Sequence, residues 1–118
     1  MIKSHRDLEV FQIAYHLSID VHKTTEAFPK SELFGLTNQM RRTSKGICAN
    51  LAEGFMKQQF SKPEFKRYLA IAMGSSTEMQ VWIDYARDLN YISAQKSQQW
   101  TNEYDTVSRM LQKFYRKL

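Results

Sequence analysis

The side chains able to do chemistry in this 118-residue chain are three histidines, one cysteine, twelve carboxylates and seventeen lysines and arginines. Their spacing closes most possibilities. A carboxylate-bridged metal site on helices needs Glu three residues before His. No Glu stands at that spacing before His5, His16 or His22, so no metal and no cofactor are expected. His16 with Asp20, and His22 with Glu26, are spaced as solvated helix-surface pairs. Cys48 has no second cysteine, which excludes an internal disulfide and suits a reducing compartment; it reads as a buried structural thiol. Gly35, Gly46, Gly54 and Gly74 are too dispersed for a phosphate-cradling loop. Glu53 and Glu78 are set several turns apart by the register described below. With no catalytic constellation, an enzyme is not expected.

What remains is charge. The chain carries a formal net charge of +5 and a pI near 9.4, which permits nucleic-acid binding without establishing it. The basic surplus lies in residues 31–60 and 93–118. The candidate nucleic-acid contacts are Arg41, Arg42, Lys45, Lys57, Lys62, Lys66, Arg67, Arg109, Lys113, Arg116 and Lys117. The competing reading is a protein-interaction scaffold that touches no nucleic acid. No apolar run approaches the ~18 residues that span a bilayer, and MIKSHRDLEV has no signal-peptide pattern, so a cytoplasmic protein is expected.

These residues must be positioned by helices. Only four Gly and two Pro argue against an all-β fold. A heptad seam runs through Val10, Ala14, Leu17, Val21, Thr24 and Phe28, with Asp7 as N-cap and Pro29 as stop. A second stripe, Leu36, Met40, Thr43, Ile47 and Leu51, predicts a helix from about Glu32 or Phe34 to Lys57. Ser61-Lys62-Pro63-Glu64 is a capping box that opens a third. Its seam is Phe65, Leu69, Ala72, Ser76, Met79, Ile83 and Ala86, and Asn90 is its left-handed end. The fourth follows Ser93 through Trp100, Tyr104, Val107, Leu111, Phe114 and Leu118. Four helices with short connections predict one all-α domain over residues 1–118, an antiparallel up-down-up-down four-helix bundle.

The polar residues Gln39, Arg41, Arg42, Asn50 and Glu53 interrupt the second stripe. A turn centred near Gln59 sets Gly46 level with Ala72, Ser44 with Gly74, and Arg41 and Arg42 with Glu78. The expectation is a close crossing at the two glycines and an ion pair from Glu78 to one of the arginines. Glu53 is expected near the first turn of the third helix. Gln39, Asn50, Glu53 and Glu78 then form a structural polar network locking the two helices. Apolar and aromatic side chains beside the seams point to self-association: Leu8, Phe11 and Tyr15 on the first helix, Tyr68 and Trp82 on the third, and Tyr115 on the fourth.

The chain resembles the four-helix-bundle proteins encoded in intervening sequences of bacterial 23S rRNA genes, whose distant relatives are accessory proteins of diversity-generating retroelements. The resemblance rests on Asp7-Leu8-Glu9-Val10, Phe28-Pro29, Glu32, Phe34-Gly35-Leu36, Gln39, Arg41-Arg42 and Asn50-Leu51-Ala52-Glu53-Gly54. It continues through Phe65, Tyr68-Leu69, Ile71-Ala72, Gly74-Ser75 and Glu78. It implies a left-handed bundle, homopentamers around a central channel, no enzymatic activity, and RNA or other nucleic acid as partner, in an rRNA or ribonucleoprotein setting. One departure stands out. Where the family commonly has an Ala-Val-Ser-Ile-Pro-like run, this chain has Ser44-Lys45-Gly46-Ile47-Cys48. The missing proline removes a source of kinking, and Lys45 adds a charge.

Overall fold

Hydroxyl caps and apolar seams build four long helices: α1 (Glu9–Thr25), α2 (Leu36–Lys57), α3 (Lys62–Asp88) and α4 (Ala94–Lys117). They are seen in a computed structural model that describes Met1–Leu118, with short 3-10 turns at His5–Asp7 and Lys30–Glu32 and no strand. Ser61 caps α3 by accepting from the Glu64 N–H, and Ser93 caps α4 by accepting from the Lys96 N–H. Each such cap contributes about 1 kcal/mol. Asn90 takes a left-handed φ of 63°, and the Tyr91 N–H reaches back to the Ala86 carbonyl. α2 runs unbroken past Cys48.

α1 packs on α2 and α4, and α3 packs on the same two, so the helices form a ring around one core. Cross-helix bonds show that neighbours run antiparallel. Ser76 Oγ, midway along α3, donates to the Tyr104 carbonyl of α4, while Phe65 and Phe114 meet edge to face at the far end of the same pair. The molecule measures 44 × 24 × 21 Å, the length being that of its longest helix. The α3 seam is buried at every expected position, and Trp100, Tyr104 and Phe65 are its largest wholly buried neighbours.

Three expectations are corrected. Asp7 does not cap α1; it lies in the preceding turn, where its carboxylate accepts from the Lys3 and Ser4 N–H groups, and Leu8 is the N-cap. Those two bonds hold the Asp7 carboxyl below its ordinary range. Thr25, not Thr24, ends the buried stripe of α1, because a straight helix turns every 3.6 residues and drifts off a strict heptad. The close crossing is not at Gly46 or Gly74, where a Cβ would meet nothing within 4 Å. It is at Gly54, where a Cβ would lie 2.7 Å from the Tyr68 Cβ and 3.1 Å from the Phe65 ring. There the α2 backbone rests directly on α3.

Candidate nucleic-acid interface

The expected ion pair between Glu78 and an arginine is absent. Glu78 instead accepts a hydrogen bond from Thr43 Oγ1 at 3.2 Å. α2 and α3 are offset from the sequence register by less than a turn, and at 100° per residue that brings a different side chain to Glu78. Nor do the other three residues form a network. Asn50 Nδ2 donates to the Gly46 carbonyl of its own helix, and Gln39 and Glu53 are exposed without hydrogen-bond partners. Ser61, not Glu53, satisfies the first turn of α3.

Arg41 turns the other way, onto α1. Its Nε donates to Thr25 Oγ1 at 2.9 Å and its Nη2 to the His22 carbonyl at 3.3 Å. Thr25 is buried, and its own hydroxyl donates to the same carbonyl. One turn along α2, Lys45 Nζ lies 2.9 Å from His22 Nδ1. His22 is therefore not paired with Glu26 in the way its spacing suggested. Desolvation first, then Arg41 and Lys45, push the His22 ring below its ordinary pKa, with Glu26 opposing. A neutral ring accepting from the ammonium fits that direction. Arg42 faces solvent. His16 likewise makes no bond to Asp20. That carboxylate takes Lys96 and the Trp100 indole N–H, each at 2.7 Å, and so ties α1 to α4. Burial alone would raise the Asp20 pKa; the bonds from Lys96 and Trp100 outweigh it and leave it lowered.

A second basic region forms where the α2–α3 turn meets the last turns of α4. Lys57, Lys62, Lys66 and Arg67 come from the first segment, and Lys113, Arg116 and Lys117 from the second. The edge-to-face contact of Phe65 with Phe114, and the Lys66 ammonium 4.8 Å over the Tyr115 ring, bring the two segments together. Glu64 is the one carboxylate side chain in residues 57–67, and residues 113–117 carry none. It bonds Arg67 at 2.8 Å and lies 3.8 Å from Lys57. Arg109 stands apart, paired with Asp105 on its own helix.

The candidate interface residues divide. Leu8 belongs to the core at 4% exposure and is corrected. Phe11 is half-buried against His5, and Tyr15 is 48% exposed. Tyr68 lies under Lys57 and Arg67, and Tyr115 under Lys66. Trp82 is half-buried, and its indole N–H has no partner. Beside it Val81 and Tyr85 of α3 and Leu89 at its C-cap are exposed apolar side chains, with Ile71 exposed about three turns earlier. Val81, Tyr85 and Leu89 are not among the sequence candidates, although Tyr85 stands one position before the seam residue Ala86, as Trp82 stands before Ile83.

Cys48 is buried and its thiol is pushed up to about 11 by desolvation, so it is unreactive. No three His, Cys, Asp or Glu side chains cluster to hold a metal ion. No helix is long and apolar enough to cross a membrane.

Comparison with known proteins agrees with this architecture. A family model described as 23S rRNA-intervening sequence protein matches residues 6–113. Among solved structures, the chain is similar to a protein of unknown function from the S23 ribosomal protein family of Bacteroides thetaiotaomicron. The TM-score is 0.79 at 18% identity, covering 91% of this chain and 95% of that one. That likeness concerns the fold. No protein of curated function matches.

Proposed function

The chain belongs to the 23S rRNA-intervening sequence protein family, and from that premise we propose that it is a non-enzymatic RNA-binding protein of the cytoplasm, acting on rRNA or a ribonucleoprotein. The observation that carries the reading is the basic end. Seven lysines and arginines converge from the α2–α3 turn and the tail of α4, with Glu64 as the one carboxylate in those segments. Flexible cations set against a phosphate backbone release counterions and give salt-dependent affinity. Filter binding of a structured RNA across a salt series tests it. The expected result is affinity that falls steeply with salt. Salt-insensitive affinity, or no binding at low salt, rejects it.

The protein acts in this proposal as a homo-oligomer, and the pentamer implied by the resemblance is the form favoured. The exposed apolar side chains of Val81, Tyr85 and Leu89 beside Trp82 support self-association, since such a face is better covered than left in water. Assembly would multiply the modest charge of each copy and add avidity. Light scattering at micromolar concentration should give a multiple of 13.9 kDa, and the monomer mass would contradict it. Salt-tolerant capture of a specific protein without nucleic acid would favour the scaffold reading.

A further inference from the structure

The seam between α1 and α2 gathers positive groups without a counter-ion. Arg41, His22 and Lys45 are linked by hydrogen bonds, yet none of them takes part in a salt bridge. The Arg41 guanidinium is pinned at Nε and Nη2, while its Nη1 makes no hydrogen bond. Lys45 gives its ammonium to a neutral ring rather than to a carboxylate. Glu26, the C-cap of α1, is the carboxylate whose field reaches the ring, and it forms no ion pair. A half-buried guanidinium and an ammonium held together repel each other, and an anion relieves that cost. Arg41 is also oriented in advance by Thr25 and the His22 carbonyl, so little rotamer entropy remains to be lost on binding.

We infer that His22, Arg41 and Lys45 form a binding site for a backbone phosphate of RNA. The inference rests on the RNA-binding reading and names one contact within it. A phosphate oxygen accepts from Lys45 Nζ and from the free edge of Arg41, both charge-assisted bonds. His22, no longer the acceptor for Lys45, takes up a proton at Nδ1 and becomes a third donor. The one bond formed is Nδ1–H, its proton supplied by solvent.

Two measurements on the full chain test this. In the first, the three imidazoles are titrated by NMR in inorganic phosphate and in chloride at matched ionic strength. The His22 midpoint is expected to rise by about half a pH unit in phosphate, while His5 and His16 serve as internal references. An unchanged His22, or an equal shift at all three, overturns the site. In the second, a single-stranded RNA oligonucleotide is bound to wild type and to Lys45→Ala, His22→Gln and, as control, Arg87→Ala. Lys45→Ala should weaken binding about 3- to 10-fold and lower the log–log salt slope by about 0.7, with Arg87→Ala unchanged. Displacement of the RNA by polyglutamate at equal charge overturns the preference for phosphate. If phosphate moves His22 but wild type binds no RNA, the anion site stands and the RNA reading fails. If wild type binds RNA while both variants match it, the site fails and the RNA reading stands.

Discussion

The two basic regions of this molecule hold their charges in opposite ways. At the α1–α2 seam few groups are present, and hydrogen bonds to Thr25 and His22 fix them. At the α2–α3 turn and the α4 tail many are present, and most are exposed; only Lys57, Lys66 and Arg67 have a partner, in Glu64, Tyr68 or Tyr115. The first arrangement spends little entropy on binding but offers few contacts. The second offers many contacts, each of which must order a long side chain on binding. Affinity and its salt dependence should therefore reside at the end, and geometric selectivity at the seam.

The largest expected effect tests the end. Replacing Lys62, Lys113, Arg116 and Lys117 together by Ala should weaken RNA binding about 100-fold near ~0.15 M salt and lower the salt slope by about 3. Thermal stability should barely change, because such surface changes are each worth within about 0.5 kcal/mol. An undiminished slope would move the electrostatic contact elsewhere.

The next effect tests the seam, and it is read in stability. Arg41→Ala removes a donor from the buried Thr25 hydroxyl and should cost about 1–2 kcal/mol in urea denaturation. Its neighbour Arg42→Ala should stay within about 0.5 kcal/mol. Equal costs would erase the distinction between a pinned and a free arginine.

Acidification separates the regions further. His22 holds its proton less readily in the folded chain than at its ordinary value of 6.5. The unfolded chain then binds more protons than the folded one as pH falls below that value. Stability is fully present above 6.5 and is lost as pH drops through the lowered folded value. His22→Gln should flatten that part of the stability profile, while Lys113→Ala should not. A wild-type profile without this slope would show that Arg41 and Lys45 do not act on the ring. The smallest effect returns to the end. Glu64→Gln frees Lys57 and Arg67 and should tighten RNA binding about 2- to 3-fold; weaker binding would mean that Glu64 positions Arg67 for its contact.

Much of the scaffold was legible because it is written locally. The seven seam residues of α3 are all buried and the left-handed Asn90 stands as expected; Ser61 caps α3, but the capping box is half formed, because the Ser61 N–H bonds the Lys57 carbonyl and the Glu64 carboxylate goes to Arg67. The basic end was legible too, since it follows from where α3 starts and α4 stops. The seam cluster was not. Counting residues on either side of the turn near Gln59 pairs Glu78 with one of Arg41 and Arg42, and spacing along one stretch of chain sets His22 with Glu26. Across helices the offset depends on the path of the connection. The connection from Glu26 to Gly35 includes a 3-10 turn, and Glu32 ties it down by accepting from the Leu36 N–H and from the Tyr91 hydroxyl. No periodicity encodes that path. The same uncertainty moved the close crossing from Gly46 and Gly74 to Gly54.

The sequence by itself determined four helices, the face each turns inward and the excess of positive charge. Periodicity, capping chemistry and composition act over one or two turns and need no knowledge of neighbours. The tertiary structure alone decided which cation stands beside which partner. A helix turns 100° per residue, so an offset of two or three residues between packed helices exchanges one facing side chain for another. That is why Thr43 meets Glu78, and why Arg41 and Lys45 meet at His22 with no carboxylate paired to either.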